Sequence, residues 1–330
     1  MKAMKAVVIG ATGYVGSSVT QLLSQKGMSV VACSRDVRKA SWLTNLGDGV
    51  TISPLQLSKG GETKEQLRVI LDGADVAFFC AGFEQQSQET VDFMCENTLS
   101  LIETAKEKGV GCVVLTSSGG STNPKGLEDS TPKSEVLHFS DPEDQLARGK
   151  FSPAAKTLME IGAFKAVGRN HKNEVVDEAL AEASPRLVIM NPNLILGPQL
   201  DPGDIKGNSL PWVCRILKKQ TMSEHIPNDS MSIIDVRDLA ALHVAAAMNE
   251  SASGRYFGVN KSFSWKEILG AFGEVCEDYT PPGLKEGEDY EGKVPTQFDH
   301  TRKESLGVEL RPLKETLGDL VGFLREKGAI

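Results

Sequence analysis

A short stretch near the N-terminus restricts the fold more than any other part of the chain. The apolar run Ala6-Val7-Val8-Ile9 leads directly into Gly10-Ala11-Thr12-Gly13-Tyr14-Val15-Gly16. A β-branched run, a glycine turn and a helix-compatible segment read as strand, turn and helix. In that setting Gly10 permits a tight turn, Gly13 lets a phosphate approach the backbone, and Gly16 lets the helix pack closely on the strand. The helix start would then offer free N–H groups to a pyrophosphate. The spacing is G-x-x-G-x-x-G rather than G-x-G-x-x-G, so the strand–turn–helix context carries the dinucleotide reading.

The same alternation continues along the chain. Strands are expected at 4–9, 28–33, 50–55, 75–80 and 110–116, with helices near 14–26, 38–46, 63–72 and 87–108. Alternation of this kind predicts an α/β fold, a doubly wound parallel sheet with helices on both faces. A sixth strand is expected at 186–191 and another at 255–259. After Pro192 the chain becomes turn-rich (Gly197-Pro198 through Asp204, and again at 278–295), with helices at 209–220, 235–249, 264–276 and 311–327. With 330 residues, one large domain or two coupled ones is expected. The pattern suggests a sheet domain followed by a smaller, looser segment.

The second strand ends in Ser34-Arg35-Asp36, with Arg38 and Lys39 just beyond. An acidic residue there favours the ribose 2′-OH of NAD, and an Arg accommodates the 2′-phosphate of NADP. Ser34, Arg35, Arg38 and Lys39 therefore point to NADP(H) over NAD(H), with Asp36 the one contrary charge.

Composition excludes several other roles. The net charge of -8 argues against binding nucleic acid. No apolar run reaches the ~20 residues that span a bilayer, and the N-terminal apolar run is too short for a signal peptide. A soluble, cytoplasmic protein without membrane association is expected. The six cysteines form no CxxC pair and no His lies at ligand spacing, so buried free thiols and no metal are expected.

Several segments together resemble the extended short-chain dehydrogenase/reductases, and among them the dihydroflavonol 4-reductase/cinnamoyl-CoA reductase group. They are Gly10–Gly16, Gly73-Ala74-Asp75-Val76, Val113 through Gly119, Lys156-Thr157-Leu158-Met159-Glu160, Asn191-Pro192-Asn193 through Pro198, Ile234-Asp235-Val236-Arg237-Asp238, Ser253-Gly254-Arg255-Tyr256, Ser264 through Ile268, and the tail from Phe298. They run nearly end to end and in order. The resemblance implies a Rossmann domain over 1–192, with 228–260 returning to it, and a mainly substrate-binding domain over 193–330. It implies NADPH-dependent reduction of a small hydrophobic ketone, aldehyde or thioester in the cleft between them. That cleft would be lined from 82–90, 119–140, 193–215 and 256–290. It also adds Thr12, Tyr14, Val15, Ala81, Gly82, Ser117, Lys156, Pro192, Asn193 and Ile195 to the glycines as cofactor contacts. Monomers and homodimers both occur in the family; helices at 87–108 and 156–183 could pair across a two-fold axis.

In the family a Ser after the fifth strand binds the carbonyl oxygen, a Tyr in YxxxK donates the proton, and the Lys holds the ribose and acidifies the Tyr. Ser118 and Lys156 match. Four places before Lys156 stands Ser152, and the four tyrosines lie at 14, 256, 279 and 290. About a dozen residues around 162–174 exceed the family pattern, and a second register would put Ala166 and Asn170 at the Tyr and Lys positions. Neither supplies a phenol. A serine hydroxyl is a far weaker acid than a phenol of pKa ~10. Lys156 itself, His171, His138 or a water could donate instead, and the isoflavone-reductase-like branch uses a lysine without the tyrosine. His138 reads more simply as a surface loop residue, His171 as part of a solvated helix face, and His243 as a packing or surface residue. Three functions remain open: a carbonyl reductase with a replaced donor, a non-catalytic NADP(H)-binding sensor, and a reductase of an activated C=C bond whose proton comes from solvent.

Overall fold

The computed structural model describes residues 3–58, 62–82, 86–126, 131–205, 207–291 and 293–330. Its strands are β1 (Lys5–Ile9), β2 (Ser29–Ser34), β3 (Val50–Pro54), β4 (Val76–Phe79), β5 (Cys112–Thr116), β6 (Arg186–Pro192), β7 (Leu194–Leu196), β8 (Ser230–Asp235), β9 (Gly254–Gly258) and β10 (Lys261–Ser264). The helices are α1 (Tyr14–Gln25), α2 (Glu62–Ile70), α3 (Gln88–Glu107), α4 (Pro142–Ala147), α5 (Phe151–Ala166), α6 (Glu178–Glu182), α7 (Ser209–Leu217), α8 (Val236–Met248), α9 (Trp265–Val275), α10 (Thr301–Glu304) and α11 (Leu313–Glu326).

Seven strands form one sheet in the order β3-β2-β1-β4-β5-β6-β9, and every pairing is parallel. Side chains alternate between its faces with period two. Ala6 and Val8 enter the core shared with α1 and α8, while Val7 and Ile9 enter the core shared with α3 and α5. Burial on both faces explains why these strands read as continuous apolar runs. The strand order reverses direction between β1 and β4, and ligands of such sheets bind at the carboxyl ends of the strands there. That crevice is flanked by Gly10 after one strand and Cys80-Ala81 after the other.

A second, three-stranded sheet, β10-β8-β7, departs from the sequence expectation. Its strands β7, β8 and β10 span three, six and four residues. Together with α7, α9 and α11 it encloses a third core around Leu210, Trp265, Phe272 and Leu320. β8 lies in this small sheet and β9 in the large one, although both fall within 228–260.

Two helix expectations need correction. The segment 38–46 forms only a 3-10 turn at Ser41–Leu46. The long helix expected over 156–183 stops at Ala166. Gly168 (φ +69°) ends it in the left-handed region, where a Cβ would lie 2.5 Å from the Asp177 carbonyl oxygen. The chain then makes a bridge between Arg169 and Val175 and resumes only as the short α6. α3 and α5 pack against each other within the chain. Among the described residues no helix is long and apolar enough to cross a membrane.

Candidate active site

At the switch point the glycines are required by contact. A Cβ on Gly10 (φ +82°) would lie 2.7 Å from the Ala81 nitrogen, and one on Gly16 only 2.2 Å from the Gly10 carbonyl oxygen. Gly13 is exposed, caps α1 without a side-chain hydrogen bond, and donates its own N–H to the Gly10 carbonyl at 2.9 Å. The helix start therefore keeps N–H groups without a side-chain cap, as a pyrophosphate requires. Thr12 is half-buried, like Ala81, and Gly82 is exposed on open space; Thr12 follows Gly10 in the turn, and Ala81 lies against Gly10 from the other side of the crevice. These residues fit a dinucleotide.

Two members of the expected cofactor set face elsewhere. The Tyr14 hydroxyl donates to the Gly197 carbonyl at 2.6 Å, and burial pushes its pKa well above the ordinary phenol value. Val15 is buried in the core. The Tyr14 hydroxyl and the Val15 side chain are thus engaged away from the crevice.

At the end of β2, Ser34 is buried and hydrogen-bonds Asp36. Asp36 Oδ1 accepts the N–H groups of Arg38 and Lys39 at 3.0 and 3.2 Å. This acidic side chain thus holds the turn, which removes the contrary signal it gave in the sequence. Arg35, Arg38 and Lys39 are exposed around it.

β5 delivers the next group. Ser118 Oγ accepts the Gly120 N–H at 3.0 Å, leaving its own proton free for another acceptor. Lys156, on α5, reaches back to the Thr116 carbonyl at 2.7 Å, two residues before Ser118. Burial lowers its pKa to about 8, opposed by the charges of Cys80 and Glu160. An ammonium has three donors, so two remain for other partners. Ser152 occupies the first turn of the same helix, and its N–H donates to Gln86. Pro192 is buried, Asn193 exposed beside Gly119, and Ile195 half-buried against the core. Of the expected cleft lining, 83–85, 127–130 and 206 lie outside the described residues.

Other candidates lie elsewhere. Ala166 is ten residues beyond Lys156, ~15 Å along the helix, and Asn170 pairs with Glu174 in an exposed turn. His138 Nδ1 accepts the Ser134 N–H at 2.8 Å, a contact within its own loop. His171 sits in the irregular segment after α5, not on a helix, edge-on to Phe139. His243 is buried, so it is not a surface residue: Nδ1 donates to the Leu239 carbonyl at 2.7 Å, Nε2 accepts from the Thr116 hydroxyl at 2.8 Å, and burial lowers its pKa to about 4. The other three phenols are engaged in their own surroundings. Tyr290 donates to the Ile226 carbonyl, Tyr279 lies in the third core, and Tyr256 packs beneath Arg302. All six cysteines are free, but Cys80, Cys95 and Cys214 are only half-buried.

The sequence pattern does not announce the groups that bind this region together. Glu160, one turn after Lys156, accepts from Ser117 Oγ and from Asn191 Nδ2, the latter at 2.7 Å, and faces Arg255 Nη1 at 3.4 Å. Ser117, expected at the cofactor, is instead buried in this cluster. The one available signal is an acid four residues after a lysine on a largely apolar helix.

Comparison with known proteins agrees with this geometry. Residues 2–132 match the model of the NmrA-like family. The chain is 28% identical to cinnamoyl-CoA reductase 1 of Arabidopsis thaliana, over 97% of this chain and 89% of that protein. It is 23% identical to the (2S)-flavan-3-ol-forming anthocyanidin reductase of Vitis vinifera, over 98% and 96% of the two chains. Over nearly its whole length the chain is thus similar to reductases of the dihydroflavonol reductase/cinnamoyl-CoA reductase group. Among solved structures, yeast methylglyoxal/isovaleraldehyde reductase Gre2 complexed with NADPH matches with a TM-score of 0.81 at 20% identity, over 99% and 100% of the chains. Vestitone reductase from alfalfa matches with a TM-score of 0.78 at 19% identity, over 99% of each. At those identities the structural matches speak for the fold.

Proposed function

We propose that the protein is an NADPH-dependent reductase of a small hydrophobic carbonyl compound, with Lys156 in place of the family tyrosine as proton donor. The observation that carries this reading is the arrangement at the end of β5: Lys156 is held on the Thr116 carbonyl, two residues before Ser118, whose hydroxyl accepts from Gly120 and keeps its own proton. The names of the relatives, reductases of cinnamoyl-CoA, methylglyoxal and vestitone among them, support the carbonyl class.

The glycine turn and the start of α1 would bind the pyrophosphate, and Arg35, Arg38 and Lys39 the 2′-phosphate. These three cations favour NADP(H) over NAD(H). When bound, the cofactor supplies hydride to the carbonyl carbon. Ser118 donates a hydrogen bond to the carbonyl oxygen, which holds the substrate and stabilises the growing negative charge. Lys156 then gives a proton to that oxygen, directly or through one water; a ketone or aldehyde leaves as the alcohol, and a thioester as a hemithioacetal that collapses to aldehyde and free thiol. An amine titrating near 8 is mostly protonated at neutral pH yet acidic enough to transfer its proton, which an ordinary lysine at ~10.4 does poorly. The Ser152 hydroxyl is too weak an acid for that step.

The test is NADPH consumption with a panel of aldehydes, ketones and thioesters, comparing the unaltered protein with Lys156→Met. Turnover lost in the variant while NADPH still binds supports the reading. NADPH binding with no turnover in either protein would instead favour a cofactor-holding sensor.

A further inference from the structure

One carboxylate ties together the elements that carry the proposed chemistry. Glu160 is 3% exposed and sits one helical turn after Lys156, on the same face of α5. Its Oε1 accepts from Ser117 at the end of β5 and from Asn191 on β6. The Asn191 amide also donates to the Ser118 carbonyl at 3.0 Å. Its Oε2 faces Arg255 of β9, which is itself 3% exposed. Arg255 is clamped in turn by the His138 carbonyl and lies over the Phe139 ring at 3.9 Å.

Burial pushes the Glu160 pKa up, and the Arg255 charge with the Ser117 and Asn191 hydrogen bonds pulls it back. Every named partner of its oxygens is a donor, a set that suits the ionised carboxylate. A buried ion pair adds little net stability over a well-packed apolar pair. Its presence between the lysine and the serine loop therefore calls for another reason.

Resting on the reductase reading, we infer that Glu160 is a positioning residue of the reaction: it registers Ser118 through Ser117 and Asn191, and it faces Lys156 with a fixed negative charge. The charged and titratable groups around the pair are few. Cys80 and Glu160 act on Lys156; Arg255 acts on Glu160; Glu135 acts on Arg255 and is itself near Arg302. His243 behind Thr116 is neutral above about pH 4. Of these, Glu160 both approaches Lys156 with charge and touches the serine loop.

Competitive acetylation of the protein with acetic anhydride, followed by mass spectrometry across pH, reads the Lys156 titration without any substrate. The expected midpoint is about 8 in the unaltered protein. In Glu160→Gln it should fall by roughly half a pH unit or more, because an attractive charge has been removed. Glu160→Asp keeps the charge but not the reach. Its Lys156 midpoint should stay, while turnover drops roughly tenfold as Ser118 loses its register. An unmoved midpoint in Glu160→Gln overturns the inference. If that variant does not fold, full turnover in Glu160→Asp overturns it. Failure of the reductase reading looks different: the unaltered protein turns over no carbonyl, yet its Lys156 titration still responds to Glu160.

Discussion

Lys156 Nζ donates to the Thr116 carbonyl oxygen at 2.7 Å, which anchors this ammonium of α5 to the strand end that also presents Ser118. The same burial that fixes the ammonium lowers its pKa to about 8. Position and acidity thus come from one packing arrangement, and both bear on proton transfer to a substrate held by Ser118.

The pH dependence of turnover follows from that value. Lys156 is the acid only while protonated, so the rate of carbonyl reduction should be flat below its pKa of about 8 and fall above it. The fall should approach about tenfold per pH unit. A pH profile of kcat with NADPH checks this; a rate that rises through pH 9 contradicts it.

Restoring the phenol is a direct probe of the altered site. Ser152 lies one turn before Lys156 on the same helix face. Ser152→Tyr should raise kcat by roughly tenfold or more, since a well-placed general acid contributes ~10²–10⁴-fold. Steady-state kinetics at neutral pH read the outcome. An unchanged kcat would mean that position 152 does not present a side chain to the carbonyl.

Ser118→Ala should lower kcat by about 10²–10³-fold, the usual loss when one donor to a developing oxyanion is removed. NADPH binding, followed by fluorescence titration, should be little altered, because the Ser118 hydroxyl accepts from Gly120 within its own turn.

Cofactor choice should depend on exposed charge. Arg35→Glu combined with Arg38→Glu is expected to weaken NADPH binding by roughly tenfold or more and leave NADH nearly unchanged, measured as the ratio of the two dissociation constants. Asp36 is occupied by the turn, through the N–H groups of Arg38 and Lys39. Asp36→Ala should therefore disturb local folding and not reverse the preference.

Acid stability should reflect His243. Burial depresses its folded pKa from 6.5 to about 4. Below pH 6.5 the unfolded chain takes up a proton that the native histidine refuses. This contribution is therefore present above pH 6.5 and lost as pH falls towards 4. Glu135 works in the opposite sense: its pKa is raised to about 7, so its contribution is present below pH 4.5 and lost as pH rises through 7. Comparing the protein with His243→Gln isolates the first effect. The difference in Tm between the two should shrink between about pH 7 and about pH 5.

The parts of this fold visible in the sequence are those with strong, local patterns. The central parallel strands read clearly because they are apolar on both faces, and Gly10 and Gly13 sit between β1 and α1, with Gly16 in the first turn of that helix. Lys156 is legible because its neighbours Thr157, Leu158 and Glu160 match a family segment. What stays hidden depends on distant contacts. Glu160 meets Arg255 across 95 positions, and no local pattern announces that pairing. The glycine motif places Tyr14 at the cofactor, yet its hydroxyl is claimed by Gly197, 183 positions away. The end of α5 is obscured because 162–174 retains helical texture, whereas Gly168 and the Arg169–Val175 bridge stop the helix.

The role of Lys156 can be decided by a paired measurement of NADPH oxidation by the protein and by Lys156→Met, at matched and verified NADPH occupancy, with the best substrate from a carbonyl panel. Proton donation by Lys156 predicts turnover in the first and a loss of ~10²–10⁴-fold in the second. Equal rates in the two, with cofactor bound in both, would contradict it.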